Sequence, residues 1–139
     1  MVHNGIEYGL MQAYAEGFDL FDKCEFELDN AKIAHLWNQG SVVRSWLCEL
    51  AARAFELEGN ELSALSGYTA DSGEGRWTIE DAIHRRIPTP VITASLYERF
   101  SSRGQNAFAA KVNAALRNQF GGHAVVAADP AAQQQPHAE

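Results

Sequence analysis

Residues 2–24, VHNGIEYGLMQAYAEGFDLFDKC, place Ile6, Leu10, Tyr14 and Phe18 at every fourth position, with alanine and glutamate among the residues between. That recurrence predicts one long helix from about Val2 to about Cys24. Gly5, Gly9 and Gly17 weaken it locally. In so regular a pattern they are expected to admit a close neighbour or ligand rather than to break the helix. The first turns are unusually polar. His3 and Glu7 stand at i, i+4 spacing, as do Asn4 and Tyr8, so an imidazole, an amide, a carboxyl and a phenol share one side of the helix. Such a set suits a polyhydroxylated, anionic small molecule better than a core.

The same period continues outward, and strand signals are scarce. Asp29-Asn30 can cap a short helix over Ala31–Gln39, which stops at Gly40. Ser41 can cap Val42–Glu58, where Val43, Leu47, Leu50, Ala54 and Leu57 mark a stripe expected to be buried. Between Asn60 and Trp77 the pattern dissolves into glycine, serine, aspartate and threonine, as in a connector or a ligand-facing loop. Thr78-Ile79-Glu80-Asp81 reads as a capping box opening a helix to about Arg86. Pro88 and Pro90 suit a linker and the first turn of a helix over about Val91–Ser102. A last helix, about Asn106–Gln119, carries Phe108, Val112 and Leu116 on its expected core side. The fold class is therefore all-α, about six helices over residues 1–123, with residues 124–139 expected as a disordered tail.

Composition narrows the function. The chain has 139 residues, 46% of them hydrophobic, enough for one domain with its own core. No apolar run approaches the ~20 residues of a membrane span, and no basic and apolar leader precedes the first helix. A net charge of −7 argues against nucleic acid or anionic membrane as the main partner. An anionic substrate remains compatible if cations cluster locally, and most arginines fall in the second half. Cys24 and Cys48 form no CxxC or Cys/His ligand spacing, so both are expected as buried free thiols in a reducing, cytoplasmic setting. His35, His84 and His137 have no metal-like neighbours, and no metal site is assigned.

The polar helix start is one of several segments that together resemble a known family. His3-Asn4-Gly5-Ile6-Glu7-Tyr8 resembles the substrate-binding helix of decarboxylating 6-phosphogluconate dehydrogenases. Leu36-Trp37-Asn38-Gln39-Gly40-Ser41-Val42-Val43-Arg44-Ser45 is similar to the family's Trp…Gly…Arg-Ser segment. Gly73-Glu74-Gly75-Arg76-Trp77-Thr78 is similar to its Gly-x-Gly-Lys-Trp-Thr loop. Ile92-Thr93-Ala94-Ser95-Leu96-Tyr97-Glu98-Arg99 follows at the expected place, and Arg117-Asn118-Gln119-Phe120-Gly121-Gly122-His123 resembles the Arg-x-x-Phe-Gly-x-His signature. Any one match would be weak; in this order they are specific. The spacing resembles the compact form of the family.

The resemblance implies a C-terminal helical domain, with NAD or NADP held mainly by an N-terminal Rossmann domain that has no counterpart here. No strand–GxGxxG–helix pattern occurs in this sequence. The family's base lysine immediately precedes the Met-Val-His-Asn motif, so this chain alone is expected to be inactive. Glu7 matches the acid that protonates C1 of the enediol formed from 6-phosphogluconate, a task that needs a carboxyl able to hold a proton near neutral pH. His3 and Asn4 match ligands of the substrate's hydroxyls and carboxylate. Tyr8 and Arg99 match phosphate ligands, and Ser72 stands where many members carry a phosphate-binding lysine. Arg117 and His123 match residues that complete the site of a neighbouring subunit, which implies a homo-oligomer. By themselves these residues also allow plainer roles: a solvated Glu7, a half-buried core Tyr8, surface charges at Arg99 and Arg117. A free-standing helical module that binds sugar phosphates or dimerises, and a related β-hydroxyacid dehydrogenase domain, are the alternatives.

Overall fold

A computed structural model describes residues 1–104 and 107–121 of the chain. Among the described residues there are six helices and no strand: α1 Val2–Asp22, α2 Asn30–Gly40, α3 Trp46–Glu58, α4 Glu74–Arg85, α5 Pro90–Ser101 and α6 Ala107–Gly121. The chain divides into two compact units, Met1–Arg103 and Gly104–Glu139. The first holds α1 to α5. Helix α6 belongs to the second, and the expected tail from residue 124 lies outside the described residues.

Helix α1, 21 residues and about 31 Å long, is the axis of the first unit. Its C-terminal half meets α3 of the α2–α3 pair, and α1 also packs against α4 and α5. At the first end the core consists of Phe18, Ala34, Cys48 and Ala52, flanked by Tyr14, Phe21, Trp37 and Phe55. Small residues on α2 and α3 let the pair close tightly, and the Phe18 ring fills the space between, edge-on to Phe55 with centroids 4.8 Å apart. The Cys48 thiol donates to the Ala34 carbonyl at 3.3 Å. Burial pushes that thiol up, partly offset by Tyr14, so it stays protonated at neutral pH. Cys24, by contrast, is only half-buried.

At the other end small residues do the packing. A Cβ on Gly5 would lie 2.8 Å from the Thr78 side chain, and one on Gly9 would lie 3.1 Å from Val91. Gly5 and Gly9 admit α4 and α5 against α1, as their persistence inside the helical pattern suggested, whereas Gly17, expected to do the same, has no neighbour within 4 Å of a Cβ position among the described residues. The large apolar residues of the helical period divide: Phe18 is buried along with Gly5, Tyr8 and Gly9, whereas Ile6 and Leu10 are about half exposed. The inward face of α1 is thus defined as much by the absence of side chains as by their hydrophobicity.

Helix boundaries differ from expectation where a second polar residue captures the cap. Ser45, not Ser41, caps α3 by accepting from the Cys48 N–H, while the Ser41 hydroxyl closes a turn on Val43. The buried stripe of α3 is accordingly Cys48 and Ala52, while Leu50 and Leu57 are exposed. Helix α4 begins at Glu74, after Gly73 in a left-handed conformation (φ 99°), a full turn before the expected Thr78 capping box. Thr78 sits inside α4, its hydroxyl 2.9 Å from both the Met1 and the Glu74 carbonyl oxygens. On α6, Phe108, Val112 and Leu116 are exposed rather than set into a core.

The aromatic end generates a direct expectation. Phe18→Ala removes the ring shared by α1, α2 and α3 and should lower stability by about 3 kcal/mol, measured by urea denaturation. A change under about 1 kcal/mol would show that Phe18 does not organise that end.

Candidate functional site

The polar end of the first unit is built around Tyr8. Its ring is 5% exposed. It lies against Gly75 of α4, where an added Cβ would come within 2.5 Å of the ring. On another side the Arg99 guanidinium of α5 stacks over it, with its central carbon 3.5 Å from the ring centroid. The Tyr8 hydroxyl accepts from the Ser72 backbone N–H at 3.3 Å. Tyr8, Ser72 and Arg99, distant in sequence, are therefore brought together.

Arg99 is held without being neutralised. One Nη donates to the Ala70 carbonyl at 3.1 Å and the other lies 3.7 Å from the Met11 sulfur. Among the described residues no carboxylate pairs with it. Its neighbours Arg76 and Arg103 are paired, both with Asp71, at 2.9 Å and 2.5 Å. Beside Arg99 a small cavity of about 290 Å³ opens between α1 and α5, lined also by Met11, Gln12 and Glu98. A larger groove of about 560 Å³ runs along α1 and α3 and is mainly apolar, with Asp19, Asp22 and Asn60 in its lining.

Charge near Ser72 is mixed. Its hydroxyl donates to the Glu74 carboxylate. That hydrogen bond and the backbone N–H of Glu74 hold the Glu74 carboxyl below its usual range, so it is ionised at neutral pH. The other sequence-expected residues stand on the exposed edge of α1. His3 is exposed, Asn4 and Glu7 are half-buried, and none of the three side chains has a hydrogen-bond partner among the described residues. They do not line the cavity beside Arg99. Arg117 falls within α6, and His123 lies outside the described residues. Asp71, Arg103 and Gly75 were not singled out in the sequence. A Gly-x-Gly loop hinted at Gly75, but no spacing rule pairs Asp71 with an arginine thirty-two positions later.

A profile of the 6-phosphogluconate dehydrogenase C-terminal domain matches residues 1–135. The chain belongs to this family. It is 49% identical over 124 residues to YqeC of Bacillus subtilis (strain 168), provisionally named a 6-phosphogluconate dehydrogenase, covering 89% of this chain and 41% of that protein. It is 44% identical over 129 residues to the NAD(+)-dependent, decarboxylating 6-phosphogluconate dehydrogenase of Haloferax volcanii (strain DS2), covering 93% and 43%. A decarboxylating 6-phosphogluconate dehydrogenase of Lactococcus lactis subsp. cremoris (strain MG1363) is 37% identical over 110 residues, covering 73% and 23%. The chain spans less than half the length of these curated relatives. As a C-terminal 6-phosphogluconate dehydrogenase domain it has the expected all-helical fold. Among the described residues no cluster of histidine, cysteine, aspartate or glutamate could hold a metal ion, and no helix is long and apolar enough to cross a membrane.

The Asp71 cluster has a measurable pH signature. Burial raises the Asp71 pKa, but the hydrogen bonds from Arg103 and Arg76 outweigh it and leave the carboxyl below its ordinary value. A carboxyl depressed in the folded state contributes its stability in full above its unfolded value, about pH 4, and loses it as pH falls through the folded value. Acid titration of stability should therefore fall below about pH 4, and Asp71→Asn should flatten part of that slope. An identical slope in the variant would contradict the pairing.

Proposed function

We propose that residues 1–123 are the substrate-binding and oligomerisation domain of a cytoplasmic enzyme that oxidatively decarboxylates 6-phosphogluconate to ribulose 5-phosphate and CO2. The observation that carries this reading is Arg99, a guanidinium fixed beside Tyr8 and Ser72 with no carboxylate partner among the described residues. An uncompensated planar fork next to a phenol is suited to phosphate oxygens. The names of the relatives support the substrate class, and the family match covers nearly the whole chain.

In this account His3 and Asn4 hold the hydroxyls and carboxylate of the sugar acid, supplying donors and acceptors of fixed direction. Tyr8, Ser72 and Arg99 receive the phosphate. Glu7 delivers a proton to C1 of the enediol left after CO2 departs. Arg117 and His123 complete the site of a neighbouring subunit, so the working form is a homo-oligomer. The described residues include no strand followed by a glycine-rich turn, so they do not fit a dinucleotide cradle, and NAD or NADP would be held mainly by an N-terminal domain. The NAD(+) dependence named for the Haloferax relative supports a nicotinamide.

One observation favours a second reading. The ionised Glu74 carboxylate, bonded to the Ser72 hydroxyl, opposes a phosphate dianion at that position and suits a non-phosphorylated hydroxyacid. Turnover of 6-phosphogluconate against gluconate by the full-length enzyme separates the two. Within the leading account, Glu7→Gln should cut kcat by about a hundredfold while leaving substrate affinity within about twofold. Undiminished turnover in that variant would remove Glu7 from the acid role.

A further inference from the structure

Successive residues of the segment before α4 are each fixed by a different partner. The Thr69 N–H donates to the Ser102 hydroxyl at 3.0 Å. The Ala70 carbonyl accepts from Arg99 at 3.1 Å. The Asp71 carboxylate receives Arg76 at 2.9 and 3.0 Å and Arg103 at 2.5 Å. The Ser72 N–H donates to Tyr8 at 3.3 Å. This strap thereby ties α1, α4 and α5 together and carries two of the atoms that hold Arg99 and Tyr8 in place.

The anchors are unequal. Those at Thr69, Ala70 and Ser72 are single bonds to one backbone atom each. Asp71 alone pairs an ionised carboxylate with two guanidinium groups, bonds that are shorter and stronger than neutral ones. Its side chain is 1% exposed, whereas Arg76 and Arg103 are 49% and 22% exposed. A charge so buried cannot leave its partners without being stranded in a poorly solvated place. Both arginines also lie near the face of the Phe100 ring, at 5.8 and 5.2 Å, so the cations themselves are held by α5. Asp71 lines neither cavity. Its influence on a ligand must run through the strap.

We propose that Asp71 is the positioning residue of the Tyr8–Ser72–Arg99 group. By locking Arg76 and Arg103 it fixes Ala70 and Ser72, and so sets the direction in which Arg99 presents its free edge. The pairing also neutralises the two neighbouring cations, leaving Arg99 as the arginine of the cluster that is open to an anion. The proposal rests on the reading that this group receives the anionic end of 6-phosphogluconate.

The test uses the full-length enzyme that carries this domain, with kinetics and calorimetric binding of 6-phosphogluconate. Asp71→Asn, close in shape but uncharged, should raise KM about tenfold and leave kcat within about twofold, because the reacting carbons are bound by other residues. Introduced into Arg99→Ala, the same change should alter KM by less than about twofold, since the group it positions is already gone. A rise of equal size in both backgrounds, or a fall in thermal stability with KM unchanged, would assign Asp71 a purely structural role and overturn the proposal. Should Asp71→Asn fail to fold, Arg103→Gln removes one cation of the pairing and should raise KM in the same way; an unchanged KM overturns the proposal. A wild-type enzyme that does not bind 6-phosphogluconate would overturn the functional reading and this inference together, whereas wild-type binding with a normal Asp71→Asn variant overturns the inference alone.

Discussion

The polar end of the domain depends on one wedged ring. Tyr8 can occupy its place only because Gly75 presents no side chain there and because Arg99 stacks on the ring from α5. Burying a tyrosine of this size contributes about 2 kcal/mol, and the guanidinium contact adds about 1 kcal/mol more. The geometric consequence exceeds the energetic one. Beside Gly5 and Gly9, this one side chain of α1 meets both α4 and α5, and through its hydroxyl it pins the segment at Ser72. Ser72 and Arg99 are thus arranged around an aromatic ring that itself belongs to the packing.

Charge is distributed to match. The chain carries a net charge of −7, yet three arginines gather at this end. Asp71 takes up Arg76 and Arg103, and Arg99 has no carboxylate partner among the described residues, so one local cation survives there in an acidic protein. Local compensation, rather than overall charge, decides what such a surface can bind. The far end of α1 works by different physics, an aromatic and small-residue core in which Phe18 joins α1 to the α2–α3 pair. One long helix therefore carries a rigid apolar anchor at one end and an open polar edge at the other.

Much of this was legible in the sequence, for identifiable reasons. The helical period of α1 and the Asp29 cap of α2 follow from side chains acting within a turn or two, and they lie where the pattern placed them. The starts of α3 and α4 did not, because Ser45 and Gly73 open these helices in place of Ser41 and Thr78, whereas their C-terminal ends fall at or within a residue of the expected positions. Thr78 is the clearest case: a residue suited to start a helix instead bonds the Met1 carbonyl from inside one. The motif residues Tyr8, Ser72 and Arg99 could be nominated from family resemblance, but their mutual contact could not. Asp71 left no local signal, since its meaning lies in two arginines, one of which comes from beyond the C-terminal end of α5. The inward face of α1 departs from its hydrophobic period for a related reason: that period weighs large side chains and not the glycines that bury by having none.

The central claim is that one ligand spans the polar edge of α1 and the Tyr8–Ser72–Arg99 group. A crystal structure of the full-length enzyme with 6-phosphogluconate tests it most directly. The phosphate should lie within hydrogen-bond distance of Arg99 and Tyr8, and the carboxylate end beside His3, Asn4 and Glu7. A sugar acid bound with its phosphate away from Arg99, or seated in the apolar groove along α1 and α3, would contradict it.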